Sequence, residues 1–209
     1  AGGVTTTATT TVTAGFVAPA AASVAPSPKQ LDAQDFPREL AAVTTEWLSA
    51  VLQKEVASFD SKALDMGVLS DLGLLTLTYA AGVEAGPPSI VVKFAKGLDS
   101  SRQGAVDADS YKKEIMFFEK LSSEVPFRAP KTLALFKDKD KPDEYFCIVM
   151  EDMNAAGFSV MDQITGLTVE QSKALASPTA KLHAHYWGAP LLEQSWLNPS
   201  AESIRPWFD

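Results

Sequence analysis

The chain has 209 residues, enough for one domain or one and a half, and 46% of them are hydrophobic, with 11 Phe and 4 Trp that can fill a core. Its 18 Lys and Arg against 26 Asp and Glu give a net charge of −8 without a dense basic stripe, which argues against a nucleic-acid-binding protein. No apolar run reaches the roughly 18 residues that a membrane-spanning helix needs, so we expect no transmembrane segment in this sequence.

Residues 1–30 differ in composition from the rest of the chain. Thr, Ala, Ser and Pro dominate, and the first charged residue is Lys29. Acid-poor, hydroxyl-rich N-termini are typical of organelle transit segments, and this composition cannot bury enough apolar surface to order itself. We therefore interpret 1–30 as a transit-like segment or as a tether held by a larger assembly. A flexible tail without an address is the alternative.

The globular part opens with a predicted helix and a predicted hairpin. The helix covers 44–52, with Thr45 as a plausible N-cap and apolar residues at helical spacing. Segment 66–82 begins with two glycines six residues apart, Gly67 and Gly73, and then alternates in a way that suggests a strand. The turn AGPPS at 85–89 leads into a second strand over 89–95. Together these segments predict a hairpin that is led by glycines.

Two charged residues stand where apolar ones are expected. Lys93 interrupts the strand SIVVKFAKG (89–97), and Glu114 lies on the inner stripe of a helix predicted over 109–121. Lys93 either faces water or points into a cleft and holds a phosphate, and Glu114 could lie at the edge of its stripe. Since a buried charge needs a partner, we expect the two to pair. The apolar members of the stripe are Tyr111, Ile115, Phe118 and Leu121.

Two further strands are predicted over 131–136 and 144–153, joined by a charged loop that a solvated turn explains. The second strand carries Cys147, the single cysteine, which can form no intrachain disulfide and is expected to be a buried thiol. One free cysteine is typical of a reducing compartment. The strand ends in an abrupt change to the acidic segment Met150–Met153.

The last predicted element is a helix from Thr168 to about Trp187. Thr168 and Gln171 form a capping-box pattern. Pro178 falls inside and is expected to kink the helix or break it in two. His183 and His185 point to different sides of a helix, so they cannot chelate one metal ion and are interpreted as structural.

In this order the pieces resemble the N-terminal half of the aminoglycoside-phosphotransferase-like kinases, in particular the choline/ecdysteroid-kinase-like small-molecule kinases. The similarity spans roughly 44–197 and lies in the segments TTEWLSAVL, VVKFAKG, YKKEIMFFEKL, CIVMEDM and AKLHAHYWGAPLLEQSWL. The resemblance implies an α+β fold. Residues 31–153 would form a protein-kinase-like N-lobe and hinge, an antiparallel sheet with a C-type helix, and 154–209 the first helices of a truncated C-lobe.

The resemblance also implies a nucleotide site. Lys93 would contact the phosphates of ATP and be held by Glu114, while Val91 would border the adenine. The two glycines would flank a loop over the phosphates, the acidic segment would be the hinge, and Mg²⁺ would accompany ATP. No catalytic or metal-binding residue is assigned. The candidate cofactor-binding residues are Gly67, Gly73, Val91, Lys93, Glu114, Met150, Glu151 and Met153.

Departures from the family pattern predict a loss of catalysis. The HGD catalytic loop of such kinases does not occur, the later metal-binding aspartate has no counterpart before Asp209, and Pro178 departs from the usual helix. Asp71 in the loop would set a negative charge near the triphosphate. We therefore expect a catalytically incomplete, pseudokinase-type protein. The alternatives are the N-terminal fragment of an ATP-dependent small-molecule phosphotransferase and a nucleotide sensor.

A pseudokinase of this kind is expected to be a structural or binding subunit. The apolar C-terminal stretch with Trp196, Trp207 and Phe208 offers a surface for protein partners. The tetrapeptide FVAP, residues 16–19, resembles an element of the plastid-targeting presequences of algae with complex plastids. The partner would then be a plastid assembly, for instance a photosynthetic membrane complex. Without that address, a cytoplasmic location is expected.

Overall fold

A five-stranded antiparallel sheet forms the centre of the part of the chain that the computed structural model describes, residues 36–64, 67–159, 161 and 164–197. The predictions for residues 1–30, Trp207 and Phe208 lie outside these residues. The strand order is β1-β2-β3-β5-β4. The strands are β1 (Val56–Leu64), β2 (Ser70–Tyr79), β3 (Ser89–Ala95), β4 (Thr132–Lys137) and β5 (Phe146–Glu151).

Within these described residues, four α-helices accompany the sheet and confirm the predicted α+β class. They are α1 (Thr45–Leu52), α2 (Asp99–Asp107), α3 (Ser110–Met116) and α4 (Val169–Tyr186). Strand β1 and helix α2 were not predicted from the sequence. Strand β1 is a largely exposed edge strand, and α2 buries only Ala105. Neither element therefore carries the strong apolar periodicity on which sequence prediction depends.

The alternation of side chains in β3 divides the core into two faces. Ile90, Val92 and Phe94 are fully buried on one face, which α1 and residues 36–43 cover. Val91 and Lys93 belong to the opposite face, because successive residues of a strand point to opposite sides. That second face carries α2 and α3. The lysine is thus on the helical side of the sheet.

The N-cap of helix α1 lies one residue earlier than predicted. The N-cap is Thr44, whose hydroxyl accepts a hydrogen bond of 3.2 Å from the Trp47 N–H. The prediction of Thr45 was wrong because two adjacent threonines offer the same capping group. Leu48 is fully buried against the sheet. Gln53 ends the helix in the left-handed conformation with φ 54°.

Helix α3 confirms the predicted apolar stripe. Tyr111 and Ile115 are 1% and 2% exposed, and Leu121 is buried as well. The regular helix ends at Met116 and continues as one π-helical turn over Phe117–Leu121. Tyr111, Ile115 and Phe118 pack with the second face of the sheet, whereas Leu121 lines an apolar groove on the other side of the π-helical turn.

Helix α4 has the predicted capping box but not the predicted break. The Thr168 hydroxyl accepts from the Gln171 N–H at 3.2 Å, and Gln171 Oε1 accepts from the Thr168 N–H at 2.8 Å. Pro178 lies inside one uninterrupted helix. Its ring fixes φ near the helical value, so the loss is one backbone donor rather than the whole turn. No residue of α4 is buried.

Two tryptophan side chains near the C-terminal end differ from expectation in their exposure to solvent. Trp196, predicted to offer a contact surface, is 8% exposed, and its indole N–H donates to Gln194 Oε1 at 2.7 Å. Trp187 is instead 86% exposed. Among the described helices, none is both long and apolar enough to cross a bilayer.

Candidate nucleotide-binding site

An ion pair joins the sheet to α3 at the centre of the second face. The Lys93 ammonium donates a hydrogen bond to Glu114 Oε1. The side chains are 17% and 27% exposed, so both are partly desolvated and still reachable from solvent. An ammonium has three N–H donors. Since Glu114 accepts one of them, the remaining donors can serve a second anion.

Val91 and Met150 lie beside this ion pair. They are cross-strand partners in the β3–β5 register, two residue positions away from Lys93 along β3. Met150 is 7% exposed, and Val91 packs against the same apolar cluster as Tyr111. The structure therefore brings Val91, Lys93, Glu114 and Met150 together on one face, where the apolar pair can border a flat ring.

The connection from β1 to β2 holds Gly67 close to its own strand. A Cβ added at Gly67 would lie 2.1 Å from the Ser70 carbonyl oxygen, so only glycine fits here without a shift. The Gly67 carbonyl accepts from Lys96 Nζ at 3.5 Å. The loop is thereby linked to the end of β3, the strand that carries Lys93.

Tyr111 is a site residue that the sequence analysis assigned only to the core. Its hydroxyl donates to the Leu69 carbonyl and accepts from the Lys96 N–H at 2.9 Å. Burial raises the pKa of the Tyr111 hydroxyl, which keeps it protonated as a donor. Tyr111 thus fastens the end of the glycine loop to α3. The signal was a tyrosine, rather than an aliphatic residue, at a fully buried position of the stripe.

Gly73 and Asp71 lie on the face opposite Lys93. Gly73 pairs with Val92 in the β2–β3 register and packs against Leu40. The structure therefore does not bring Gly73 together with the other candidate residues. Asp71 pairs across the strands with Phe94, a residue of the same opposite face.

Asp71 is not an isolated negative charge, and its predicted effect on a bound triphosphate stays a prediction. Asp71 Oδ1 lies 2.7 Å from Lys96 Nζ, and Oδ2 accepts from the Gly97 N–H at 2.8 Å. Burial raises the pKa of this carboxyl, but the Lys96 ammonium and the Gly97 N–H outweigh it and lower the pKa below its usual value. The negative charge is compensated locally by a lysine that the sequence analysis did not consider.

Two residues of the hinge, Glu151 and Met153, differ in their hydrogen bonds to the rest of the protein. The Glu151 carboxylate accepts from the Arg128 guanidinium, at 2.6 Å for Oε2, and from the Lys131 N–H at 3.1 Å. The Glu151 N–H donates to the Lys131 carbonyl at 2.9 Å. Glu151 is thus engaged with the segment that leads into β4. Neither the Asp152 N–H nor the Met153 N–H donates to another described residue, so both backbone donors of the hinge are open to a ligand.

A second surface lies away from this site, between α4 and the π turn. It is an apolar groove of about 630 Å³. The groove lies next to Trp187, which is largely exposed. Its lining includes Phe117, Leu121, Phe127, Leu182, Tyr186 and Trp187.

Metal ligands are not grouped in the described part of the chain. Residues 36–64, 67–159, 161 and 164–197 contain no cluster of three or more His, Cys, Asp or Glu side chains that could hold a metal ion.

Residues 84–186 match the family described as Ecdysteroid kinase-like. The matched stretch is similar to that family and covers just under half of the chain. The match includes Lys93, Glu114 and the hinge, whereas Gly67 and Gly73 lie before it. Together with the antiparallel sheet and α3, it confirms the kinase-like N-lobe followed by part of a helical lobe. No curated protein matches the sequence.

Proposed function

We propose that the kinase-like lobe binds a nucleoside triphosphate, ATP being the expected one, between β3 and the glycine loop. The observation that carries the proposal is the Lys93–Glu114 ion pair. In kinases a strand lysine held by a helix glutamate binds the nucleotide's phosphates. Here α3 holds the lysine in the same manner, beside the apolar pair Val91 and Met150. The free Met153 N–H supplies a donor for the edge of a base.

Calorimetric titration of the 209-residue chain with MgATP tests this proposal. We expect Lys93→Ala to weaken binding by roughly 10- to 100-fold, because a hydrogen bond to a charged group contributes about 1.5–3 kcal/mol. Lys62→Ala removes the same charge from an exposed position of β1 and should leave the affinity unchanged. If the unmutated chain binds no MgATP, the proposal is wrong, and the ion pair has a structural role.

A second candidate function is a pseudokinase-type subunit of a larger assembly. The observation in its favour is α4, which buries no residue and borders the apolar groove. Exposed apolar surfaces of this kind mark protein contacts. We expect a separate protein to bind in this groove. If the FVAP segment is a plastid address, that protein belongs to a plastid assembly.

Native mass spectrometry of the chain purified from its own cells tests the second candidate. We expect a complex heavier than the 22.4 kDa of the chain alone. Leu182→Glu in the groove should abolish assembly, whereas Lys181→Glu beside it, on an exposed position, should not. A single monomeric species of the 209-residue chain would contradict this function and leave the nucleotide proposal untouched.

A further inference from the structure

Asp152 in the hinge is a buried carboxylate. It is 6% exposed, and Ser70 is the other polar residue that is buried among the described ones. A carboxylate that leaves water needs hydrogen-bond donors to remain charged. The hydrogen-bond partners of Asp152 therefore show which parts of the chain this carboxylate joins.

The first partner lies at the start of β3. The Ser89 hydroxyl donates to Asp152 Oδ2 at 2.6 Å. Ser89 precedes Lys93 by four positions on the same strand, so Ser89, Val91 and Lys93 share one face. The hydrogen bond therefore fixes the hinge to the strand that carries the candidate phosphate-binding lysine.

The second partner lies in the turn that follows. Asp152 Oδ1 accepts from the Asn154 N–H at 3.0 Å, and the Asp152 carbonyl accepts from the Ala156 N–H at 3.2 Å. The Met153 carbonyl accepts from the Phe158 N–H at 2.9 Å. These bonds hold the turn on both sides of Met153.

We propose that Asp152 is a positioning residue, which through Ser89 holds the hinge so that the Met153 N–H meets an acceptor nitrogen of the nucleotide base. The inference rests on the proposed nucleotide-binding function and adds the two side chains, Asp152 and Ser89, that hold the hinge in place. The triphosphate end of the ligand depends on Lys93, and the base end depends on the Ser89–Asp152 bond. The two ends can therefore be tested with different ligands.

The experiment compares MgATP with inorganic tripolyphosphate, which has the phosphates without the base. Ser89→Ala removes the donor to Asp152 and should weaken MgATP binding about tenfold, in line with the loss of one hydrogen bond to a charged group. Binding of tripolyphosphate should not change. Ser89→Thr keeps the hydroxyl and should restore the affinity for MgATP. Ser61→Ala, the same change at an exposed position of β1, is the matched control.

Asp152→Asn provides a second variant that keeps an acceptor for Ser89 but loses the charge. We expect a smaller loss of MgATP affinity than in Asp152→Ala, again without an effect on tripolyphosphate. Lys93→Ala should weaken the binding of both MgATP and tripolyphosphate. This pattern separates the base end of the site from the phosphate end.

Two results would overturn the inference alone. One is MgATP affinity that stays the same in Ser89→Ala and Asp152→Ala. The other is an equal loss for both ligands in these variants, because a general loosening of the lobe would not distinguish them. A wild-type chain that binds neither MgATP nor tripolyphosphate would instead overturn the proposed function and this inference together.

Discussion

Lys93 on β3 and Glu114 on α3 form an ion pair that bridges the sheet and the helix. The residues are 21 positions apart in sequence, and each interrupts the apolar pattern of its own element. Their side chains are partly buried, so the charge of either one is partly compensated by the other. The pair is therefore both a contact between two elements and the centre of the candidate site.

The coupling between these two residues can be measured with a double-mutant cycle. We expect Lys93→Met and Glu114→Gln each to lower the free energy of unfolding, because each leaves the other polar group partly desolvated. The double variant should lose less than the sum of the single losses, with an interaction energy of about 1 kcal/mol. Urea denaturation of the four proteins gives this value. Strictly additive losses would show that the pair does not couple β3 to α3.

A side chain added at Gly73 is expected to push the Leu40 side chain aside. A Cβ added there would lie 2.4 Å from Leu40 Cδ1. Gly73→Ala should therefore lower the free energy of unfolding by about 1–3 kcal/mol, a typical cost of overpacking. Combining it with Leu40→Ala removes the clashing atoms, so the alanine at 73 should cost less in that background. An equal cost in both backgrounds, measured by thermal unfolding, would contradict the close packing.

The Arg38–Asp138 ion pair predicts a loss of stability in acid. The Arg38 guanidinium, with the Lys141 and Asp140 N–H groups, lowers the pKa of Asp138 from 3.8 to about 2. Because the folded-state pKa is the lower one, the pair stabilises the protein fully above about pH 4 and stops doing so as the pH falls toward 2. The stability difference between wild type and Asp138→Asn should therefore shrink over this range.

Urea denaturation at several pH values between about 6 and 2 measures this difference. Asp60→Asn, at an exposed position of β1, is the matched control and should show no such trend. A difference between wild type and Asp138→Asn that stays constant down to pH 2 would mean that the pair does not lower the pKa.

Pro178→Ala should stabilise α4. Proline inside a helix lacks one backbone donor, and its replacement by alanine gains up to about 3 kcal/mol of helix propensity. The change should appear as slower amide hydrogen exchange in 169–186. Ser177→Ala, one position earlier in the same helix, should give only a few tenths of a kcal/mol. Faster exchange in Pro178→Ala would show that the proline has a packing role that outweighs its missing donor.

Much of the fold was predictable from local pattern. The alternation in β3, the stripe of α3 and the capping box at Thr168 are each properties of a few neighbouring residues. The pairing of the two misplaced charges was predictable as well, because a partly buried charge requires an opposite one. The predicted domain boundaries, nucleotide roles and plastid address stay predictions.

The sequence by itself determined the family resemblance, the α+β class that the resemblance implies, and the pairing of Lys93 with Glu114, because short motifs and residue types are properties of local sequence. Only the tertiary structure decided which candidate residues share a face of the sheet. Strand register placed Gly73 and Asp71 on the face opposite Lys93, gave Asp71 a counter-charge in Lys96, and buried Asp152 against Ser89. Such contacts join segments far apart in the chain, and local patterns carry no information about which of several possible partners will meet.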